Sequence, residues 1–317
     1  MTQTSSEMQA AVPLTVPVTV PVESAPVPAP RTHTLVSLSP SRALDFMTCP
    51  LRYRYRVIDR FVEPPTAATA KGTLVHAVLE RLFDVPPAER TIDTAARLAT
   101  VEWERLITEE PELITAAGDA IADGSWSRGV EELLATYFRL EDPRRLTPAA
   151  REVRVEVELD GGMRLMGYID RLDEAATGEL RIVDYKTGRA PQEAFEGKAL
   201  FQLKFYALVL WRTRGVVPKE LRLIYLGEGE LLRYAPDEAE LAGFERTVRA
   251  LWQAIDRAMV SGDFRARPSK LCGWCNHQAI CPAFGGESPP LPAPRELLLP
   301  EDAVLVSAGD PPTTATA

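Results

Sequence analysis

The change of hydrophobic period after Ala150 constrains the fold of this chain more than any other feature. From 153 to 159 apolar residues alternate with charged ones, VRVEVEL, a pattern that suits a strand with one buried face. The Asp-Gly-Gly turn at 160–162 leads into a second apolar segment at 163–172, and a third follows at 180–186 after another glycine turn. These segments predict a three-stranded antiparallel meander.

Helical patterns flank the meander on both sides. Ser39 and Pro40 have the character of an N-cap and a first turn, and they predict a short helix that ends at Cys49. Further helices are expected over residues 70–84, 92–109, 129–140, 193–211 and 237–261, and further strands over 221–226 and 231–234. The order of these elements predicts an α/β fold in which helices cover the faces of a sheet.

Proline and charge divide the chain into a body and two tails. Six of the 27 prolines lie in residues 1–36 and seven in residues 285–317, which predicts disordered tails around a body at about 37–284. The formal charge of -9 argues against nucleic acid by itself, because phosphates require local positive potential. The tails carry -1 and -4, so local clusters of charge in the body matter more than the total.

The four cysteines are divided unequally along the chain. Cys272, Cys275 and Cys281 share one loop, whereas Cys49 stands more than two hundred residues upstream. A tetrahedral or cubane metal site needs a fourth ligand beyond these three thiolates, and Cys49 is the only other thiol. Spacing leaves zinc and an iron-sulfur cluster both open, and His277 in the loop is an alternative ligand in a zinc site.

The expected cellular setting bears on these thiols. The N-terminus has no signal-peptide pattern, and no segment approaches the roughly 20 apolar residues of a membrane span, so a cytoplasmic location without membrane contact is expected. Thiols in a reducing compartment hold metal more often than they form disulfides. Two disulfides or four inert buried cysteines are the alternatives.

A basic and aromatic segment, LRYRYRVIDR, occupies residues 51–60. Arginines interleaved with Tyr53 and Tyr55 can grip phosphates and stack on bases. The other interpretation is a solvated face whose tyrosines pack inward. The arginines concerned are Arg52, Arg54, Arg56 and Arg60.

Asp184 interrupts the apolar run of the third strand, where an ionised carboxylate is costly unless a metal, hydrogen bonds or an opposite charge compensate it. If 176–178 form a three-residue hairpin loop with Gly178 in the left-handed region, Asp170 lies directly opposite Asp184. Lys186 then projects from the same face. A divalent cation is the simplest group that reverses the repulsion between the two acids.

A different compensation for the two acids is a cross-strand network without metal. In that arrangement Lys186 and Arg171 neutralise Asp170 and Asp184. His76, which lies in the predicted helix 70–84 near the edge of its apolar stripe, would be an ordinary structural residue when taken alone.

Considered together, these residues resemble a known family. Asp170 and the Asp-Tyr-Lys sequence at 184–186, with His76 upstream and Gln202-x-x-x-Tyr206 on the next helix, resemble the PD-(D/E)xK nuclease superfamily in its RecB-like exonuclease branch. The four cysteines resemble the iron-sulfur clamp of AddB-type and small CRISPR-associated nucleases. The resemblance spans about 38–282, although Ile169 replaces the proline of the superfamily name and the acid of D-x-K is Asp.

The resemblance implies a fold and a set of site residues. The fold would be a restriction-endonuclease-like mixed sheet flanked by helices, whose N- and C-terminal helical parts are joined by a 4Fe-4S cluster on the four cysteines. Lys186 would orient the attacking water or offset developing charge. Gln202 and Tyr206 would position the lysine or the DNA strand, unless they serve ordinary helix packing. The implied ligands of one or two Mg²⁺ or Mn²⁺ ions are His76, Asp170, Asp184 and the main-chain carbonyl of Tyr185.

The resemblance also implies an activity and partners. The expected function is a metal-dependent DNA exonuclease that acts on single strands or ends in repair or recombination. The alternatives are a catalytically silent DNA-binding or scaffold module of a helicase-nuclease complex and a nuclease of CRISPR adaptation. The chain contains no G-x-x-x-x-G-K-[ST] phosphate loop, so any helicase activity must come from a separately encoded partner.

Overall fold

The computed structural model describes residues 37–190 and 196–292. Their central feature is a mixed five-stranded sheet in which the strands lie side by side in chain order. β3 and β4 run parallel, and every other neighbouring pair is antiparallel. The strands are β1 (Ala150–Leu159), β2 (Met163–Glu174), β3 (Leu180–Lys186), β4 (Glu220–Tyr225) and β5 (Glu230–Tyr234).

Helices precede the meander, cross between β3 and β4, and follow β5. The parallel β3–β4 pair requires such a crossover connection, because parallel neighbours cannot be joined by a tight turn. The helices are α1 (Pro40–Thr48), α2 (Pro50–Tyr53), α3 (Ala67–Leu82), α4 (Ile92–Glu109), α5 (Glu112–Ala117), α6 (Asp119–Ala122), α7 (Ser125–Leu140), α8 (Glu196–Arg214) and α9 (Glu238–Ser261). The predicted α/β fold with a helix-flanked sheet is confirmed.

Two apolar cores lie on the two faces of the sheet. One packs residues of α1, α8 and α9 against the sheet, including Leu165, Ile182 and Leu223. The other packs α3, α4 and α7 against Val183 and Ile224. Neighbouring residues of β3 therefore enter opposite cores, and the strand that carries Asp184 is covered on both faces.

Local capping explains where several helices begin. The side chain of Ser39 accepts a hydrogen bond from the N–H of Arg42, and Pro40 occupies the first turn of α1. α1 ends at Thr48, with Cys49 as its C-cap, as the sequence predicted. Asp237 caps the long helix α9 in the same way.

The predicted meander is present with the predicted register. Gly178 has a φ of 84°, and its N–H donates to the carbonyl of Ala175 across the three-residue loop. β2 and β3 pair from Glu174↔Leu180 to Arg171↔Val183. This is the register that directs Asp170 toward Asp184, because each step along one strand is matched on the other.

The segment 51–60 agrees with the interpretation in which its tyrosines pack inward. Tyr53 and Tyr55 are buried, and Arg54 is buried beside Asp59, with 3.0 Å between its Nε and the carboxylate. Arg56 forms ion pairs with Asp45 and Glu63. These charges are compensated within the protein rather than directed at phosphates.

The predicted tail at 1–36 lies outside the described residues, as do residues 293–317. The first residues after the predicted boundary at 284 contact the body, since Ser288 forms a hydrogen bond with Tyr55 and the carbonyl of Pro289 accepts one from Arg54. Across the described ranges, no helix combines the length and apolar character that crossing a membrane requires.

Candidate active site

The site lies at the point where β2 separates from β3. Their ladder ends at Arg171↔Val183, one residue before Asp170 and Asp184. There the carboxylate of Asp170 accepts a hydrogen bond of 2.7 Å from the N–H of Tyr185. The fork therefore holds two acids near each other. Beyond the end of the backbone ladder, a hydrogen bond from the Tyr185 N–H to the Asp170 side chain links the two strands.

Asp184 is held by a chain of polar contacts that leads to α8. Its side chain is 2% exposed and lies 2.6 Å from Nζ of Lys186. Gln202 links this pair, since its Oε1 accepts from Lys186 at 2.9 Å and its Nε2 donates to Asp184 at 2.8 Å. The same Nε2 lies 3.1 Å from the hydroxyl of Tyr206. Burial alone would lower the pKa of Lys186, but the Asp184 charge outweighs this and raises it, so the lysine is a cation.

A glycine allows α8 to approach the sheet closely. A Cβ on Gly167 would lie 2.5 Å from Cε1 of Tyr206 and 3.5 Å from Cδ of Pro40. Any larger residue at 167 would displace the Tyr206 ring, to which Gln202 is hydrogen-bonded. The position of Gln202 over Asp184 thus depends in part on a residue without a side chain in β2.

His76 reaches the fork from α3 on the other side of the sheet. Its Nε2 lies 3.0 Å from the carbonyl of Tyr185, and its Nδ1 lies 3.4 Å from Asp170 and 3.7 Å from Glu152. Burial alone would lower the pKa of His76, but Glu152, Asp170 and Asp184 together raise it to about 9. The imidazole is therefore surrounded by negative groups.

Glu152 is a member of the site that the sequence analysis missed. It adopts a φ of 42°, and the β1–β2 pairing skips it between Arg151↔Arg171 and Val153↔Ile169. A left-handed backbone is unfavourable for a glutamate within a strand and is typical of functional sites. The signal was available: counting back from the turn at 160–162 places Glu152 opposite Asp170, just as counting from Gly178 places Asp184 there.

The side chains at the fork fit a hard divalent cation. His76, Glu152 and Asp170 each offer a ligand atom, and these atoms all lie within 4.8 Å of one another. Burial, with the Asp184 charge adding to it, raises the pKa of Asp170 to about 7, although the neighbouring His76 acts in the opposite direction. Two carboxylates and an imidazole suit Mg²⁺ or, with greater tolerance for the histidine, Mn²⁺.

Arg171 does not neutralise the two acids. Its guanidinium is buried on the other face of the sheet, where it donates to Glu141 at 2.7 Å and to the hydroxyl of Tyr185 at 2.6 Å. Asp173 accepts a further bond from it at 3.0 Å. The alternative network without metal is therefore only half formed, because Lys186 contacts Asp184 while Asp170 has no arginine beside it among the contacts of the described residues.

The four cysteines line one cavity of about 180 Å³, far more than one water molecule requires. The N–H of Arg267 donates to Sγ of Cys49 at 3.4 Å, and that of Ser269 to Sγ of Cys272 at 3.3 Å. Burial raises the pKa of Cys275, and Cys49 contributes in the same direction, so the upstream cysteine reaches the loop. The remaining thiol of the cavity wall is Cys281.

A joined four-cysteine cluster is not shown in the described residues. Their one group of three or more metal-binding side chains with ligand atoms within 4.8 Å of each other is the trio at the fork. His277, the alternative zinc ligand, lies with its Nε2 2.9 Å from Glu63 and packs on the ring of Tyr55. The structure thus places the thiols around a common space without bringing their sulfurs into contact.

Comparison with known proteins bears on this fold and this site. Residues 37–282 match the model of the PD-(D/E)XK nuclease superfamily. The chain is 27% identical over 267 residues to the Gene 69 protein of Mycobacterium phage D29, a match that covers 78% of this chain and 96% of that protein. The Gene 69 protein of Mycobacterium phage L5 is 26% identical over 298 residues, which cover 80% of this chain and 99% of the phage protein.

A solved structure shares the fold. It is a protein from Eubacterium rectale described as a "Putative exonuclease", with a TM-score of 0.50 and 16% sequence identity. The match covers 76% of this chain and 88% of the other. At this identity the likeness concerns the arrangement of helices and strands.

Proposed function

The chain belongs to the PD-(D/E)XK nuclease superfamily, and from this we propose that it is a metal-dependent DNA exonuclease that hydrolyses phosphodiester bonds at single strands or ends. The observation that carries the proposal is the fork between β2 and β3. It gathers Asp170, Asp184 and Lys186 with the imidazole of His76 and with Glu152 of β1, in a region with more negative than positive charge. Such an imbalance is characteristic of sites that bind cations and perform chemistry.

The proposed ion ligands come from three elements around the fork. Asp170 and Asp184 supply carboxylates, His76 supplies a ring nitrogen from α3, and the carbonyl of Tyr185 lies 3.0 Å from that ring. Mg²⁺ or Mn²⁺ bound there would polarise the phosphate, activate water and stabilise the leaving oxygen. The phosphate would enter from the open side of the fork, where β2 no longer covers β3.

The remaining polar residues position one another. Lys186 is a half-buried cation that Asp184 and Gln202 hold in place, so it presents a fixed positive charge to the water or to a phosphate oxygen. Gln202 cannot rotate freely, because it donates to Asp184 and contacts the Tyr206 hydroxyl. We assign Gln202 and Tyr206 the role of orienting Lys186 rather than of touching DNA.

The cysteine cavity supports a second part of the proposal, a 4Fe-4S cluster of the type found in RecB-like and AddB-type nucleases. Its support is the shared cavity and the two N–H groups aimed at Cys49 and Cys272, since such bonds stabilise cluster sulfur ligands. A cluster there would tie α1 to the end of the chain and close a very long loop. Zinc is the alternative occupant.

Metal analysis tests the cluster separately from catalysis. Anaerobically purified protein should contain iron and acid-labile sulfide and absorb broadly in the visible range. The Cys49→Ser variant should lose both iron and thermal stability, whereas Ser261→Ala, on an exposed helix end, should lose neither. A colourless protein that contains zinc would contradict the iron-sulfur assignment.

The biological setting is also part of the proposal. The proposed exonuclease suits repair or recombination in the cytoplasm, with a separately encoded helicase as partner. A role in CRISPR adaptation uses the same chemistry, and end specificity would not distinguish the two. The neighbouring Asp170, Asp184 and Lys186 favour an enzyme over a catalytically silent binding module, because buried like charges cost stability unless they serve a function.

Digestion of labelled DNA tests the function directly. Cluster-loaded protein should shorten end-labelled single strands in Mn²⁺ or Mg²⁺, leave a closed circle intact and stop in EDTA. Asp184→Asn should abolish cleavage, while the same change at Asp160, which is fully exposed in the β1–β2 turn, should have no effect. Cleavage of the circle would make the enzyme an endonuclease, and DNA binding without cleavage in both metals would support the binding module.

A further inference from the structure

Tyr168 is an exposed aromatic residue on the half-exposed face of β2. Its relative exposure is 49%, although it lies in the interior of β2 between buried Gly167 and buried Ile169. Among the described residues no hydrogen bond or ring contact involves its side chain. A large aromatic ring gains little from such a position in the free protein, because its apolar faces remain in water.

Tyr168 lies near the fork along β2. Gly167 and Ile169 face α8 and its core, so Tyr168 projects from the other face of the sheet, on which α3 brings His76 to the fork. Two residues separate Tyr168 from Asp170, roughly 6.8 Å along the strand. The residue paired with Tyr168 on β1 is Arg154, and the ladder skips Glu152 and Asp170 two residues further along. Arg154 is held at 2.7 Å by Glu156, which leaves the ring uncovered by its neighbours.

We propose that Tyr168 forms a nucleobase subsite, in which its ring stacks on the base of a nucleotide next to the phosphate held at the fork. The proposal rests on the nuclease function and specifies its substrate. A base in an intact duplex has both faces covered by neighbouring bases, whereas a base in a single strand or at a frayed end offers a free face. Stacking on one tyrosine is tolerant of sequence, because every base has an aromatic face.

The magnitude of the expected effect follows from base stacking on aromatic side chains. Loss of one such contact weakens single-strand binding by roughly 5- to 150-fold. The phosphate contacts proposed at the fork would not involve the ring, so a strand that lacks the base should not be sensitive to residue 168. Sensitivity that depends on the base therefore separates stacking from a general disturbance of the fork.

Equilibrium binding to the catalytically inactive Asp184→Asn protein in Mn²⁺ tests the subsite. The probes are a short labelled oligothymidylate and the same strand with abasic nucleotides. Adding Tyr168→Ala should weaken oligothymidylate binding 5-fold or more and leave abasic binding within twofold, and Tyr168→Phe should restore the oligothymidylate affinity. Melting temperatures of the three proteins should agree, because residue 168 is on the surface.

The possible failures are distinguishable. If Tyr168→Ala binds both probes as the parent does, the subsite is disproved while the nuclease proposal stands. If it weakens both probes equally, residue 168 acts on the backbone or the fold, and stacking is again disproved. If the parent protein binds neither probe, DNA binding itself fails, and the proposed function falls together with the subsite.

Discussion

Two groups of charged residues meet at β3, and they are built on opposite principles. The site cluster consists of His76, Glu152, Asp170, Asp184 and Lys186. The Arg171 network consists of Glu141, Arg171, Asp173, Tyr185 and Arg222. Adjacent residues of one strand, Asp184 and Tyr185, belong to different groups, because successive side chains of a strand face opposite ways.

In the Arg171 network every charge has a partner. Glu141 accepts hydrogen bonds from Arg171 and from Arg222 at 2.8 Å. Burial alone would raise the pKa of Glu141, but the two arginines outweigh it and lower the pKa. A buried carboxylate whose pKa is lowered has enough positive partners to offset the cost of burial. The Arg171 network therefore helps to hold the end of α7 and β4 against β2.

In the site cluster the balance is reversed. The pKa of Asp170 rises to about 7 through burial and the charge of Asp184, and that of His76 rises to about 9 because acids outnumber cations around it. The shift of Asp170 comes first from burial and then from a like charge, and the shift of His76 comes from the acids around it. The comparison teaches that burial alone does not identify a functional site in this protein; the sign and completeness of charge pairing do.

The largest effect is expected from Asp170→Asn, which breaks the site cluster. Cleavage should fall by at least about 10³-fold, because several kcal/mol of transition-state stabilisation depend on the ions that Asp170 helps to hold. The fold should survive, since an asparagine oxygen can still accept the 2.7 Å bond from Tyr185 N–H. Cleavage rate and melting temperature in EDTA are the measurements.

The melting temperature of Asp170→Asn can contradict this prediction. A melting temperature that falls by many degrees in EDTA would mean that Asp170 is a structural residue like Glu141. The matched control is Asp160→Asn, which makes the same change at an exposed acid of the same hairpin and should alter neither quantity.

Arg171→Met should produce the opposite result. It leaves Glu141 buried with one arginine fewer, which costs roughly 3–5 kcal/mol of unfolding free energy, whereas cleavage by the folded fraction should change little. Urea unfolding gives the first quantity, and active-site titration with cleavage rates gives the second. Arg154→Met on neighbouring β1 is the control, because its exposed ion pair is worth about 1 kcal/mol or less. Equal stability of the two variants would refute the structural role of the network.

The contrast between the two groups also explains what the sequence revealed. The meander and its register were predictable, because alternation and Gly178 are local signals that fix which residues face each other. The bounds of β3 and α4 were predicted to the residue. The approach of α8 to Asp184 was expected only through the family resemblance, because no local pattern specifies which face of a helix meets which strand.

The missed parts have physical reasons. Glu152 was overlooked because its alternating pattern is that of an ordinary strand, and its left-handed backbone leaves no trace in composition. The Arg171 network joins the end of α7 to β2 and β4, and such long-range ion pairs cannot be read from spacing. The cysteine loop was recognised from spacing, but the separation of its sulfurs is a tertiary property.

Glu152→Gln tests whether Glu152 belongs to the metal-binding part of the site cluster. If Glu152 shares in holding the ion, its neutral isostere should weaken Mn²⁺ affinity by roughly 10-fold, the lower end of what supporting residues of metal sites contribute. Titration calorimetry measures the affinity, and the rise in melting temperature on adding Mn²⁺ should shrink in parallel. Glu156→Gln, the same change on the same strand beside Arg154, is the control. Unchanged Mn²⁺ affinity would restrict Glu152 to its contact with His76.

The smallest effect is expected from Tyr185→Phe, at the residue that touches both groups. Its hydroxyl accepts a 2.6 Å bond from Arg171, while its main-chain N–H and carbonyl face Asp170 and His76. Removing the hydroxyl should cost about 1 kcal/mol of unfolding free energy and leave cleavage within a few-fold, because Arg171 keeps Glu141 and the main chain keeps its contacts. Urea unfolding and cleavage rates measure both. A tenfold loss of cleavage at unchanged stability would show that the Arg171 network positions the backbone of the site, and the two faces of β3 would then form one functional unit.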